Sequence, residues 1–182
     1  MLKDYKKKDF IKFGKNTFLS KSVEIRRPHL VAIGKNCAID TGFYCTTKAI
    51  IGDYIHIGPY VTIIGGEKSK IIIGDFASIA AGCRLICGSD LHSDKGFSGP
   101  TIPNKYRDKV IYSEIIIKKC ANIATNSVIM PGVIIGEGSV IGPNSLITKN
   151  TNPWTVYVGN PARPIKIRNK KNILKFLKEL NY

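Results

Sequence analysis

An aliphatic residue recurs every six positions along most of this chain, and a strict six-residue period admits very few folds. From Ile33 the register runs through Ile39, Cys45, Ile51, Ile57 and Ile63, then Ile73, Ile79 and Leu85, then Ile117, Ile123, Ile129, Ile135, Ile141 and Ile147. Thirteen of these fifteen positions are isoleucine. Four residues after most of them stands a small or compact side chain, as at Cys37, Ala49, Val61, Ala77, Cys83, Ala121, Ser127, Val133, Ser139 and Ser145, with Phe43 and Ile55 as larger exceptions. A helix needs apolar residues at about 3.6 and an amphipathic strand at 2, so neither alone accounts for six. A prism does. Three hexads make a coil of about 18 residues with three short strands, and successive coils stack through parallel backbone hydrogen bonds about 4.8 Å apart. β-branched isoleucine suits that buried, pleated wall. The predicted class is all-β, a parallel β-helix of hexapeptide repeats.

Phe13, Leu19 and Ile25 carry the same spacing and predict a first coil, separated from Ile33 by an eight-residue step. Two interruptions follow. Ile63 to Ile73 spans ten residues, four in excess, around GGEKSK, and Leu85 to Ile117 spans thirty-two, twenty-six in excess. A segment this long in a compact domain is usually functional. At the far end Ile173, Leu174, Phe176, Leu177 and Leu180 fall at helical spacing and predict a short amphipathic helix over the last coils, whose core and strand edge need a cover. The expected division is a β-helix domain over 1–168, with an inserted loop over 88–114, and a capping helix over 169–182.

Composition matters for partners. With 43% hydrophobic and 23% charged residues the chain fits neither disorder nor a membrane protein. No apolar run approaches the roughly 20 residues of a membrane span, and the N-terminal stretch lacks a signal-peptide core, so a cytoplasmic location is expected. The net charge of +15 favours anionic partners, with cations concentrated in Lys3, Lys6, Lys7 and Lys8 and in Arg163, Lys166, Arg168, Lys170, Lys171, Lys175 and Lys178. No nucleic-acid-binding motif accompanies them. The five cysteines lack the paired spacing of zinc or redox motifs and read as reduced thiols, three of them on inward repeat positions.

Segments such as IGKNCA, IGDYIH, IGDFAS, IGEGSV and IGPNSL resemble the hexapeptide repeats of the left-handed β-helix acyltransferases, and VYVGNPARPIK resembles the end of that domain in sugar acetyltransferases. The resemblance implies left-handed coils, acetyl-CoA as acyl donor, no metal, and a homotrimer with active sites between subunits. It implies transfer to a hydroxyl or amino group of a sugar or nucleotide-linked sugar, with the inserted loop walling the site. Thioester transfer needs a base for the attacking group and donors for the oxyanion, and histidine titrates in the right range. His29 precedes the regular register and reads as a surface residue. His56, last in IGDYIH, points outward near a prism corner, and in the branch resembled by YIHIGPY, IIGGE, CGSD and GPTIPNKY this histidine is the base, with Glu67 placed to orient its imidazole. His92, in SDLHSD on the loop, is the second candidate, because galactoside and maltose acetyltransferases carry their base on a comparable loop, about two residues earlier, where this chain has Asp90. Asp90 and Tyr106 are expected to contact acceptor. Coenzyme A contacts carried over from the family fall on Thr125, Pro143, Thr148 and Lys149, with Arg163 and Lys166 at the phosphates. Two other classes stay open from sequence: a γ-type carbonic anhydrase-like metal hydratase, which needs three converging histidines, and a non-catalytic β-helix scaffold.

Overall fold

In the computed structural model, which describes residues 5–182, the chain forms a three-sided prism of stacked coils. Lys3 of the basic cluster lies outside the described residues. Face one stacks Lys12–Phe13, Val31–Ile33, Lys48–Ile51, Lys70–Ile73, Glu114–Ile117 and Ile134–Ile135 in parallel. Face two begins Phe18–Leu19, Ala38–Ile39, His56–Ile57, Ser78–Ile79, Asn122–Ile123 and Val140–Ile141. Face three contains Glu24–Ile25, Tyr44–Cys45, Thr62–Ile64, Arg84–Ile86, Val128–Ile129 and Leu146–Ile147. The register sets repeat position on repeat position: Phe13 opposes Ile33, Leu19 opposes Ile39 and Ile25 opposes Cys45, so the expected first coil is formed.

All fifteen repeat positions are at most 3% exposed, and the compact residues four places later are equally buried. Each isoleucine ladder therefore fills the axis while the compact residue closes the corner beside it. Most corners turn through left-handed backbone. Along the corner after face one the left-handed residues are Asn16, Asn36, Tyr54, Phe76, Cys120, Gly138 and Trp154. At Gly138 (φ +63°) a Cβ would lie 2.3 Å from the Trp154 ring, so only glycine lets the last corner close over it.

The solenoid ends by reversing. Thr155–Gly159 adds to face two in parallel, then Ala162–Ile167 pairs back on it antiparallel, which terminates the stacking. The C-terminal helix, Lys171–Glu179, packs along the corner after face one, with Leu177 buried against Cys120 and Trp154. The tail continues back toward earlier coils. Tyr182 stands edge-on to the stacked rings of Tyr54 and Phe76, and its hydroxyl donates to Asp53 at 2.7 Å. The helix thus reaches further from the last coils than its spacing suggested, because the bulky left-handed residues form an apolar strip down that corner. All five cysteines are buried, including Cys87 and Cys120 outside the repeat positions.

The long insertion is ordered by its own hairpin. Gly88–Asp90 pairs antiparallel with Val110–Tyr112, directly where the loop leaves face three and returns to face one. Farther out, Phe97 bridges to Arg107 and Asn104–Tyr106 makes a single 3-10 turn.

Candidate active site

His56 and His92 occupy different settings. His56 projects from face two in register with Ala38 of the coil below and Ser78 of the coil above. Its Nε2 lies 2.9 Å from Asp40 Oδ2, and the two side chains are 55% and 32% exposed. Asp40 follows the inward Ile39, so one coil supplies the carboxylate and the next the imidazole. The expected orienting role of Glu67 is corrected: the partner of His56 is Asp40, while Glu67 sits on the four-residue insertion after face three, 4.0 Å from Arg27 Nε. The insertion carries Glu67 past the face that His56 occupies.

His92 stands on the loop in left-handed backbone (φ +53°), with Nδ1 3.1 Å from Ser98 Oγ. Beside it Asp108 receives the Ser93 hydroxyl at 2.6 Å, the Ser93 N–H at 2.5 Å and the Lys109 N–H at 2.7 Å. Those donors, led by the Ser93 hydroxyl, hold the Asp108 carboxyl below its usual range. They lock the base of the loop. Asp90 is held too, accepting from the Gly99 N–H at 3.0 Å. His29 is exposed on the 3-10 turn Pro28–Leu30, and among the described residues no group of three or more His, Cys, Asp or Glu side chains could hold a metal ion.

A cleft of about 530 Å³ opens between the Gly65–Gly66 turn and the loop hairpin, and both Glu67 and Asp90 line it. Tyr106 is not among its lining; it is exposed, under the Lys105 ammonium at 4.5 Å from the ring centre. Arg27, Arg107 and Tyr112 do line the cleft. They went unnoticed in the sequence because Arg27 belongs to the first coil and the others to the loop, with three coils of chain between them.

The expected donor-binding residues divide into two groups. Thr148, Lys149 and Arg163 meet around a smaller recess of about 160 Å³ at the corner after face three. Thr125 and Pro143 sit at the preceding corner in successive coils, tied by the Asn144 N–H to the Thr125 carbonyl at 2.9 Å. Lys166 is exposed on the closing antiparallel strand, opposite Val156.

Comparison with known proteins bears on fold and family. Residues 114–149 match the family model described as bacterial transferase hexapeptide (six repeats). The dTDP-4-amino-4,6-dideoxy-D-glucose acyltransferase of Escherichia coli is 33% identical over 171 residues, covering 91% of this chain and 86% of that protein. The chain belongs to the hexapeptide-repeat acyltransferase family. AntD, an N-acyltransferase from Bacillus cereus solved as an Asp-to-Asn variant with dTDP and coenzyme A, superposes with a TM-score of 0.90 at 36% identity, over 96% of this chain and 94% of that one. AntD has also been solved with dTDP and 3-hydroxybutyryl-CoA, at 37% identity and a TM-score of 0.88 over 97% of this chain and 94% of that one. As a member of this family the chain is an acyltransferase, and AntD carries coenzyme A or 3-hydroxybutyryl-CoA in its structures. No helix among the described residues is long and apolar enough to cross a membrane.

Proposed function

We propose that this protein transfers an acyl group, acetyl in the first instance, from a coenzyme A thioester to the amine of a nucleotide-linked amino sugar. The observation that carries the reading is the near end-to-end likeness to two acyltransferases whose names or ligands are dTDP-linked. The amine nitrogen attacks the thioester carbonyl directly; its proton passes to a base, the tetrahedral intermediate collapses, the C–S bond breaks, and the thiolate takes a proton back.

His56 is the base in this scheme. In the tautomer with Nε2 donating to Asp40, the imidazole lone pair lies at Nδ1, the nitrogen left for the acceptor. Asp40 is a positioning residue. Thr148, Lys149 and Arg163 receive the donor's phosphates, with charge-assisted contacts suited to anions. Thr125 and Pro143 line the path of its arm.

Within one chain the His56–Asp40 pair lies on face two, whereas the cleft and the donor recess open after face three. A homotrimer with sites between subunits unites these halves, and exposed Phe18, Ile50 and Tyr60 supply apolar surface for such packing. Light scattering should give three times the 20.1 kDa chain mass; a monomer would refute the shared site. The activity test is thiol release from acetyl-CoA and 3-hydroxybutyryl-CoA against dTDP-amino sugars and their hydroxyl analogues. Turnover with the hydroxyl analogues and none with the amines would overturn N-acylation.

A further inference from the structure

We infer that the cleft between the Gly65–Gly66 turn and the loop hairpin holds the diphosphate of the acceptor's nucleotide, with Arg27 and Arg107 as its phosphate ligands and Tyr112 as a platform for the base. This rests on the nucleotide-linked acceptor proposed above and assigns the residues that select it. Three observations converge on the cleft.

The first is an unspent cation. Arg107 is half-buried in the cleft wall, and among the described residues its guanidinium has no hydrogen-bond or ion-pair partner. A guanidinium without a protein partner is open to an anion, and its planar fork matches two phosphate oxygens. The second is a preset neighbour. Arg27 donates from Nη1 to the Thr46 carbonyl at 2.8 Å, which fixes its side chain, while Glu67 stands 4.0 Å from its Nε, beyond hydrogen-bond reach. Arg27 is thus an ordered side chain whose loose ion pair with Glu67 leaves its guanidinium able to turn to a phosphate.

The third is the floor. Thr46 Oγ1 accepts from the N–H groups of Gly65 and Gly66 at 3.2 and 3.4 Å, so the turn is pinned to the coil below. Gly66 takes φ +73°, and a Cβ built there would meet nothing within 4 Å, so the turn opens on free space. Tyr112 is exposed at the cleft edge with the Lys68 ammonium 5.6 Å from its ring centre. An exposed ring beside cations accepts a base by stacking, which alanine substitution typically reveals. The cleft's volume of about 530 Å³ lies within the range of small-molecule sites.

Both the acceptor and coenzyme A carry a diphosphate, so the test must separate them. Calorimetric titration of dTDP, dTMP and coenzyme A into wild type, Arg107→Gln and Tyr112→Ala does so. The expected result is a dTDP Kd raised about tenfold or more in each variant, with the coenzyme A Kd within about twofold of wild type. The preference for dTDP over dTMP should also shrink in Arg107→Gln. Unchanged coenzyme A affinity doubles as the check that the variants are folded. If dTDP affinity survives both substitutions, or if coenzyme A affinity falls in its place, the assignment is wrong while the nucleotide-linked acceptor stands. If wild type binds coenzyme A but not dTDP, the acceptor reading itself fails and the cleft assignment falls with it.

Discussion

Replacing His56 by alanine should lower kcat by about 10²–10⁴, the contribution of a positioned general base, with the donor KM nearly unchanged. The structure sets a second, smaller number beside it. Asp40 holds the imidazole through one contact of 2.9 Å between side chains that are 55% and 32% exposed. An exposed ion pair of this kind contributes at most about 1 kcal/mol, so Asp40→Asn should cost about two- to fivefold in kcat. It should not approach the loss on removing the ring. His92→Ala should act mainly on acceptor KM, because a loop residue orients the substrate without taking its proton. The assay is steady-state thiol release with the true acceptor, each substrate varied in turn over pH 6–9. Retention of wild-type kcat by His56→Ala, with collapse in His92→Ala, would refute the assignment and move the base to the loop. If both variants kept wild-type kcat, the amine would be attacking already neutral and histidine base catalysis would be wrong. An Asp40→Asn loss as deep as that of His56→Ala would show that the pair is far drier in the working enzyme than an open prism face makes it.

Arg163→Ala combined with Lys149→Ala should raise the donor KM about tenfold with little change in kcat, and the wild-type donor KM should rise with salt because these cations are exposed; Lys166→Ala alone should do less, and an effect confined to kcat would remove the recess from the donor site. Ile123→Ala, at a position 1% exposed, should cost about 2–5 kcal/mol in denaturant unfolding, whereas Ile123→Val should cost about 0.5–1.5 kcal/mol. Burial pushes Asp53 up, but the Tyr182 hydroxyl, the Lys35 N–H and the Lys35 charge together hold its carboxyl below the usual 3.8. Its contribution is therefore present above that pH and is lost as pH falls through the depressed value, so the gap in melting temperature between wild type and Tyr182→Phe should close below about pH 4. Burial pushes the Cys45 thiol up to about 11 and the Cys87 thiol up to about 12, and native protein should leave both unlabelled by a disulfide reagent at pH 8 until it is unfolded.

The prism was legible because one residue type marks one structural position: an isoleucine at every sixth place can only face the axis. The same period carries lateral information that is harder to see. Asp40 and His56 are sixteen residues apart, two short of a full coil, so a diagonal contact between adjacent coils could have been enumerated from the 18-residue step. Glu67 belongs to the four-residue insertion, which shifts it to another corner, near Arg27. Arg27 and Arg107 line one cleft from a coil and a loop hairpin, a juxtaposition with no sequence period behind it. The path of the C-terminal tail was equally hidden, since its anchor depends on Tyr54 and Phe76 turning their rings outward through left-handed backbone, which their residue types do not announce.

The neck of the inserted loop separates two kinds of inheritance. Cys87 donates its N–H to the Ile64 carbonyl at 2.6 Å and accepts from the Ser113 N–H at 2.8 Å, so the outgoing and returning chains are joined before the loop begins. Beyond that seam Lys70–Ile73 and Glu114–Ile117 pair residue for residue, as though nothing lay between them. The stack is indifferent to the length and content of what hangs from it. Mutation can rewrite the loop wholesale while the ladder beneath keeps its melting behaviour, and a loop exchanged between relatives at Gly88 and Tyr112 should carry acceptor preference with it. The loop can thus vary without disturbing the ladder, while His56 and Asp40 stay fixed to the coils of face two.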